Sequence, residues 1–331
     1  MSGVRCISKQ MKLTVAVLTG CVLCSGCRSV SYDIPYDIDT SISAFRFESS
    51  DTDKTAEAFA SDLCVVTGEE TPGEEIESGS DSYGSAALFD VSNKEVLYSK
   101  NATAKLYPAS MTKVMTALLA MKYGNMEDVL TASENVLITE SGAQLCGFKP
   151  GDTMTLDQAL HGLLMYSGND AAIMIAEHIS GSVEEFSNLM NAEAAKLGAT
   201  NTHFVNPNGL HDENHYSTAY DMYLIFNEAI QYPLFNEIIH MDTYTTNYKN
   251  SAGETVNITF NSTNRYLKGD VTPPTKVTVI GGKTGTTNAA GANLILLVRD
   301  SAGNPYISVV MKAQDTDTLY LKMNSLLKDV D

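Results

Sequence analysis

Predicted β-strands stand at both ends of the part of this chain that is able to fold, with predicted helices between them. The first two strands form a predicted hairpin, Tyr83 to Val91 and Glu95 to Tyr98. This order indicates one sheet in which the N-terminal hairpin pairs beside the C-terminal strands. The predicted fold class is mixed α/β in three layers: a mainly antiparallel sheet flanked by helices, with an inserted all-helical lobe at about residues 125–240. The later strands are predicted at 256–260, 276–282, 292–299 and 306–312, and a closing helix at 317–328.

A helix predicted to begin near Ser110 carries two polar residues in its first turn. Pro108 is tolerated at a helix start, and apolar residues then recur at steps of three and four. Ser110 and Lys113 are three residues apart and are therefore neighbours on the helix surface. A serine hydroxyl becomes a nucleophile when an adjacent base takes its proton, and a lysine amine is such a base once burial lowers its pKa. The same spacing recurs at Ser325 and Lys328, so alone it is not specific.

Two further motifs contain groups that bind or move protons. Ser167 and Asn169 lie in a predicted turn between two helices and supply a hydroxyl and an amide. The third motif ends a predicted strand, where a substrate peptide can lie against the strand edge and a cation and hydroxyls can hold a terminal carboxylate. Read singly, each motif is equally compatible with a capping serine or a surface lysine. The third motif consists of Lys283, Thr284, Gly285 and Thr286.

The first 82 residues differ in composition from the rest. A basic stretch and an apolar run from Leu13 to Cys24, too short for a comfortable membrane span, are typical of a signal peptide at residues 1–27. Small residues precede Cys21 and Cys27 as in bacterial lipoproteins, and the apolar length before Cys27 favours it as the lipidated residue. Residues 28–82 are rich in Ser, Thr, Asp and Glu, which predicts a disordered linker before a folded domain at 83–331.

The charge of the chain excludes one broad class of partner. The formal net charge is −18. Nucleic-acid binding needs a basic surface, so we expect no nucleic-acid partner.

The three motifs in this order are the signature of serine β-lactamases and penicillin-binding proteins. The chain from about Tyr83 onward resembles the D-alanyl-D-alanine carboxypeptidases, the low-molecular-mass penicillin-binding proteins. Besides the motifs, the resemblance includes Asn208-Gly209-Leu210-His211 and the later pair Tyr220-Asp221. It implies a β-lactamase/transpeptidase-like fold, no cofactor and no metal. Peptidoglycan pentapeptide stems are the implied substrates, and β-lactam antibiotics the implied inhibitors.

The resemblance also implies roles for the motif residues. Ser110 is the acylated nucleophile, Lys113 its general base, and Ser167 the group that relays a proton to the leaving D-alanine. Asn169 orients Lys113 and the substrate amide. The third motif binds the terminal carboxylate, and the backbone N–H groups of Ser110 and Thr286 form the oxyanion hole.

In two respects the chain departs from what many relatives carry. Some relatives use an arginine beyond the last strand for the carboxylate, where this chain has Lys312; either Lys312 substitutes for it or Lys283 acts with the threonines alone. Many relatives carry a second β domain and a C-terminal membrane anchor, whereas this sequence stops at Asp331. We therefore expect an N-terminal lipid to hold the protein on the extracytoplasmic face of the cell membrane.

Four alternative functions remain open at this point. A D,D-endopeptidase that cleaves cross-links uses the same motifs. A serine β-lactamase needs a glutamate that activates the deacylating water, but Glu184 and Glu185 lie on a predicted helix outside any Glu-x-x-Leu-Asn motif. A zinc peptidase is suggested by His211 and His215, four residues apart in a predicted loop without the H-E-x-x-H pattern. A lipid-tethered wall-binding protein with a degenerate site is the non-enzymatic alternative.

Overall fold

A five-stranded antiparallel sheet with the order β2-β1-β9-β8-β7 is the centre of the fold. The computed structural model describes residues 60–67 and 83–330, which belong to one compact unit. The N-terminal hairpin pairs with the last strand, with Ala87 opposite Val309, so the predicted sheet is confirmed. Its strands are β1 (Ser85–Asp90), β2 (Glu95–Lys100), β7 (Thr278–Thr287), β8 (Gly291–Arg299) and β9 (Pro305–Ala313).

The sheet is covered by helices on both faces. Alternate residues of a strand point to opposite faces, so Phe89 and Val309 pack into one apolar cluster while Leu88 and Leu296 pack into another. The first cluster is shared with most of the helices, and the second with α7, through residues such as Met323. The helices are α1 (Lys113–Tyr123), α2 (Leu156–Leu164), α3 (Asn169–Ser180), α4 (Val183–Lys196), α5 (Ala219–Ala229), α6 (Pro233–His240) and α7 (Thr316–Leu326).

The inserted lobe is not purely helical as predicted, because it carries part of a second sheet. This sheet has the order β3-β4-β5-β6, and all its pairs are antiparallel. The first two strands have only three residues each, too few to show a strand period in the sequence. The strands are β3 (Val129–Thr131), β4 (Thr153–Thr155), β5 (Thr243–Lys249) and β6 (Thr255–Asn261).

The N-cap of α5 is Thr218. The Thr218 hydroxyl accepts the backbone N–H of Asp221 at 2.9 Å. Ser217 instead forms a pair of backbone hydrogen bonds with Leu106, at 2.8 and 2.9 Å. This pairing holds the chain that enters α5 against the segment that leads to Ser110.

Residues 60–67 lie within the predicted disordered linker but pack onto the domain. Cys64 is fully buried, and its N–H donates to the Tyr223 hydroxyl at 2.9 Å. Its carbonyl accepts the Tyr220 hydroxyl at 3.1 Å. The short apolar run at 63–66 explains this packing, because it can bury side chains despite its acidic surroundings.

Two predictions about the N-terminal part lie outside the described residues. They are the signal peptide at 1–27, with Cys21 and Cys27, and the linker apart from residues 60–67. Within 60–67 and 83–330, no helix is both long and apolar enough to cross a lipid bilayer.

Candidate active site

Ser110 lies on a tight turn just before α1, not in the regular helix that its sequence predicts. A 3₁₀ turn spans Ala109–Thr112, and α1 begins at Lys113. Ala109 has a φ of 49°, a left-handed conformation that costs an L-residue about 1–2 kcal/mol. Such strain persists only where the surrounding structure imposes it. Here Gly209 approaches so closely that a Cβ on it would lie 1.9 Å from the Ala109 carbonyl oxygen.

Lys113 is fully buried, and its Nζ meets three oxygen atoms. The Ser110 Oγ lies 2.9 Å away, the Asn169 Oδ1 2.7 Å and the backbone carbonyl of Asn208 2.6 Å. A neutral amine has two N–H bonds and one lone pair. The two carbonyl oxygens can only accept, so they take the two hydrogens and leave the lone pair for the Ser110 hydroxyl.

The charge state of Lys113 suits this arrangement. Burial lowers the pKa of Lys113 well below its ordinary value, and the nearby positive charge of Lys283 lowers that pKa further. Burial also lowers the pKa of Lys283, to about 7. Burial and the repulsion between two ammonium groups in one site both favour the uncharged form of Lys113.

The second motif connects these two lysines. Ser167 has a φ of 66°, which turns the chain sharply between α2 and α3. Its hydroxyl accepts a hydrogen bond from Lys283 Nζ at 2.9 Å, and Asn169 opens α3 with its side chain on Lys113. Ser110, Lys113 and Asn169 thus form one set of polar contacts and Ser167 with Lys283 a second, and the second motif contributes one residue to each.

The third motif lies in the C-terminal half of β7, an edge strand that ends at Thr287, beyond the predicted strand end at residue 282. Lys283 is fully buried in β7, and its Nζ also donates to the carbonyl of Thr284 at 2.8 Å. A Cβ on Gly285 would lie 2.9 Å from the backbone nitrogen of Ser110, so β7 passes directly beside the nucleophile turn. Thr286 follows on the same strand.

A cavity of about 630 Å³ lies where these elements meet. Its lining includes Ser110, Ser167 and Asn169, together with Thr284 and Thr286 of β7. The arrangement therefore offers a nucleophile, an uncharged base and hydroxyl donors around a space large enough for a peptide end.

Lys312 is not among the residues that line this cavity. Its Cβ and Cδ approach Gly84, at the start of the N-terminal hairpin. Lys283 does not line the cavity itself, but its Nζ contacts two residues that do, Ser167 at 2.9 Å and the Thr284 carbonyl at 2.8 Å. The role of Lys283 with the threonines at the carboxylate stays a prediction.

Asp170 is a residue of the site that sequence analysis missed. Its carboxylate is buried and accepts the backbone N–H groups of Cys146, Gly147 and Phe148, at 2.9, 2.8 and 3.2 Å. The adjacent residues 140–144 form one wall of the cavity, and the Gln144 carbonyl accepts the Asn169 N–H at 2.9 Å. An acidic residue directly after Asn169 was the available signal, but a carboxylate at a helix start is ordinarily explained by the helix dipole.

The two histidines of the zinc alternative do not share a site. His215 is buried, its Nδ1 accepts the Val205 N–H at 3.2 Å, and its Nε2 lies 2.8 Å from the Thr112 hydroxyl. Burial lowers the pKa of His215 to about 4, so it stays neutral. His211 instead lies at the cavity, with its ring edge-on to Tyr107 at 4.7 Å. Within residues 60–67 and 83–330, no three metal-ligating side chains cluster.

Replacing Gly285 by alanine is expected to slow acylation of Ser110 by at least about tenfold. The new Cβ would collide with the backbone nitrogens of Ser110 and Met111 and with the Pro108 carbonyl, all within 2.9 Å, and would displace the nucleophile. The measurement is the rate at which a fluorescent penicillin labels the protein. Gly253→Ala is the control: it carries a φ of 81° with open space around it, so it should cost about 1 kcal/mol of stability and leave labelling unchanged. Equal labelling rates in the two variants would contradict this account of Gly285.

Comparison with known proteins shows which family this chain is similar to. The profile of a family described as D-alanyl-D-alanine carboxypeptidase, peptidase S11, matches residues 70–315. The carboxypeptidase DacF of Bacillus subtilis is 44% identical over 152 residues, 45% of this chain and 39% of the relative. DacC of Escherichia coli is 34% identical over 217 residues, 63% of this chain and 51% of the relative. These matches thus span about two fifths to one half of the relatives' length.

Solved structures show the same fold. The Streptomyces K15 DD-transpeptidase superimposes with a TM-score of 0.70 at 24% identity, over 76% of this chain and 97% of that protein. An evolved penicillin-binding protein homolog, Rv2911, from Mycobacterium tuberculosis gives 0.66 at 27% identity, over 76% and 92%. At such identity the first likeness shows the architecture and not the reaction.

Proposed function

This chain belongs to the D-alanyl-D-alanine carboxypeptidase family, and we propose that it removes the terminal D-alanine from peptidoglycan stem peptides through an acyl-enzyme on Ser110. The observation that carries the proposal is the position of Lys113. The amine is fully buried, lies 2.9 Å from the Ser110 hydroxyl and donates its two hydrogens to two carbonyl oxygens. This is the arrangement that activates a serine nucleophile.

Acylation begins with proton transfer from the Ser110 hydroxyl to Lys113 Nζ. The Ser110 Oγ attacks the carbonyl carbon of the penultimate D-alanine, and the N–H groups of Ser110 and Thr286 stabilise the oxyanion. The C–N bond then breaks, and the leaving amine takes back the proton held by Lys113, relayed through the hydroxyl of Ser167. D-Alanine departs, and Ser110 remains esterified.

Deacylation returns the enzyme to its starting state. A water molecule attacks the ester carbon, Lys113 takes the proton of the water, and the Ser110 Oγ is released with that proton as the hydroxyl. A penicillin enters the same first step, because opening its lactam ring also forms an ester on the Ser110 Oγ. The ring nitrogen stays attached to the acyl group, so no product leaves and deacylation is hindered.

Binding of the free C-terminal carboxylate is assigned to the third motif. Thr284 and Thr286 line the cavity, and Lys283 supplies a positive charge behind them. A carboxylate that approaches Lys283 stabilises its protonated form, which strengthens the repulsion that keeps Lys113 neutral. Substrate binding and base activation therefore support each other.

The direct test is release of D-alanine from diacyl-Lys-D-Ala-D-Ala by the protein. The proposal requires stoichiometric release of one D-alanine per peptide and no release from the same peptide ending in L-alanine. Failure to release D-alanine while a penicillin is rapidly hydrolysed would favour the β-lactamase alternative. Cleavage of cross-linked dimers in preference to the free peptide would favour the endopeptidase.

The lipid attachment at Cys27, with Cys21 as the alternative, is part of the same proposal. A diacylated cysteine buries more than one acyl chain, at about 0.8 kcal/mol per CH₂, which holds a protein durably on the outer face of the membrane. We expect Cys27→Ala to release the protein from the membrane fraction in a bacterium that processes lipoproteins. The control is Cys21→Ala, which should remain membrane-bound, and the reverse result would assign the lipid to Cys21.

A further inference from the structure

A hydroxyl outside the three motifs contacts the third motif inside the cavity. The Oγ1 atoms of Thr263 and Thr284 are 2.6 Å apart, a short hydrogen bond between two hydroxyls. Thr263 lies in the turn directly after β6, and both threonines line the cavity. Sequence analysis gave no role to Thr263.

The chemistry of a carboxylate fixes the direction of this hydrogen bond. Each threonine hydroxyl has one hydrogen to donate, and a carboxylate can only accept. If Thr284 donates its hydrogen to the substrate carboxylate, it must accept one from Thr263. The result is a chain of two hydroxyls, each polarised by the next, that ends on the negative charge.

The position of Thr263 is held by backbone hydrogen bonds of the segment after β6 to two other parts of the chain. Its backbone N–H donates to the carbonyl of Met165 at 3.1 Å, two residues before Ser167. The neighbouring Ser262 N–H donates to the Asp242 carbonyl at 2.8 Å. The turn after β6 therefore joins the second motif to the third, and it holds the Thr263 hydroxyl at a fixed distance from β7.

We infer that Thr263 is a positioning residue for the substrate carboxylate, which donates to Thr284 so that Thr284 can donate to the carboxylate. The inference rests on the proposed function, because it concerns the same cavity and the same substrate end. Thr263 would thus act on the carboxylate through Thr284. Without Thr263, the Thr284 hydroxyl is free to rotate, and its hydrogen is no longer directed at the substrate carboxylate.

A second hydrogen bond between two threonine hydroxyls provides a control that distinguishes this role from a purely structural one. Thr245 and Thr259 also join two hydroxyls, at 2.9 Å, but on the exposed face of β5 and β6. Their bond is away from the cavity and should have no effect on a ligand carboxylate.

The experiment compares acylation by benzylpenicillin, which carries a carboxylate, with acylation by its methyl ester, which does not. The second-order rate constants are measured by competition with a fluorescent penicillin for wild type, Thr263→Val, Thr263→Ser and Thr259→Val. Thr263→Val should lower the rate constant for the acid about tenfold, the effect of about one hydrogen bond. The rate constant for the ester should stay within about twofold. Thr263→Ser, which keeps the hydroxyl, and Thr259→Val should both resemble wild type.

Three outcomes would overturn the inference. An equal loss for acid and ester in Thr263→Val would mean that the residue only supports the fold. Unchanged rate constants in Thr263→Val would mean that the hydroxyl is not used, and so would a loss in Thr263→Ser as large as in Thr263→Val. A fourth outcome, a wild-type protein that penicillin does not acylate at all, would overturn the proposed function itself and is distinct from the other three.

Discussion

Ser110→Ala should leave no detectable acylation by penicillin and lower the turnover of a D-Ala-D-Ala peptide by a factor on the order of 10⁶, as removal of a serine nucleophile does elsewhere. The substitution removes only the Oγ, while Lys113 keeps its bonds to Asn169 and the Asn208 carbonyl. The fold should therefore be retained. Intact-mass spectrometry after incubation with penicillin measures the loss of the adduct.

The control for Ser110→Ala is already present in the sequence. Ser325 and Lys328 repeat the same spacing near the end of α7, away from the cavity. Ser325→Ala should be acylated at the wild-type rate. An adduct of full stoichiometry on the Ser110→Ala protein would instead identify another nucleophile, of which Ser167 is the nearest candidate.

Lys113→Arg is expected to lower the acylation rate by about 10²–10⁴-fold, the usual contribution of a general base. Arginine keeps a positive charge and cannot be deprotonated in a protein, so it has no lone pair for the Ser110 proton. In the wild type, only the uncharged amine is active. The rate should therefore fall as the pH drops through the lowered pKa of Lys113 and level off above it.

The variant should show no such recovery at high pH, which distinguishes a lost base from a merely displaced serine. Lys122→Arg is the matched control, since Lys122 lies on the same helix, is partly exposed and pairs its Nζ with the buried carboxylate of Glu193 rather than with the cavity residues. It should keep both the rate and the pH profile. A Lys113→Arg protein whose rate rises with pH in parallel with wild type would show that another group takes the proton.

The central sheet could be predicted because buried strands are apolar in sequence. Residues 294–298 of β8 are buried on both faces of the sheet and therefore form a continuous apolar run. The Ser110–Lys113 contact could be predicted because the separation of three residues on one turn alone brings the side chains together.

Other parts of the site leave no such record. The third partner of Lys113 is the backbone carbonyl of Asn208, a group that every residue possesses. The left-handed conformations of Ala109 and Ser167 arise from tertiary packing, since neither residue type favours a positive φ. The composition of residues 28–82 predicts a linker at residues 60–67 as well, because four apolar residues at 63–66 change the average of this acidic segment very little.

The pairing of β1 with β9 also determines when the central sheet can be completed during synthesis of the chain. The first strand of the sheet is synthesised long before its partner, and β7, which carries Lys283, is joined to β1 only through β8 and β9. Non-local strand pairing of this kind is slow, and unpaired strand edges promote aggregation until the last strand has paired. A nascent chain that lacks the final strand therefore holds all three motifs in its sequence before the sheet that positions Lys283 is complete.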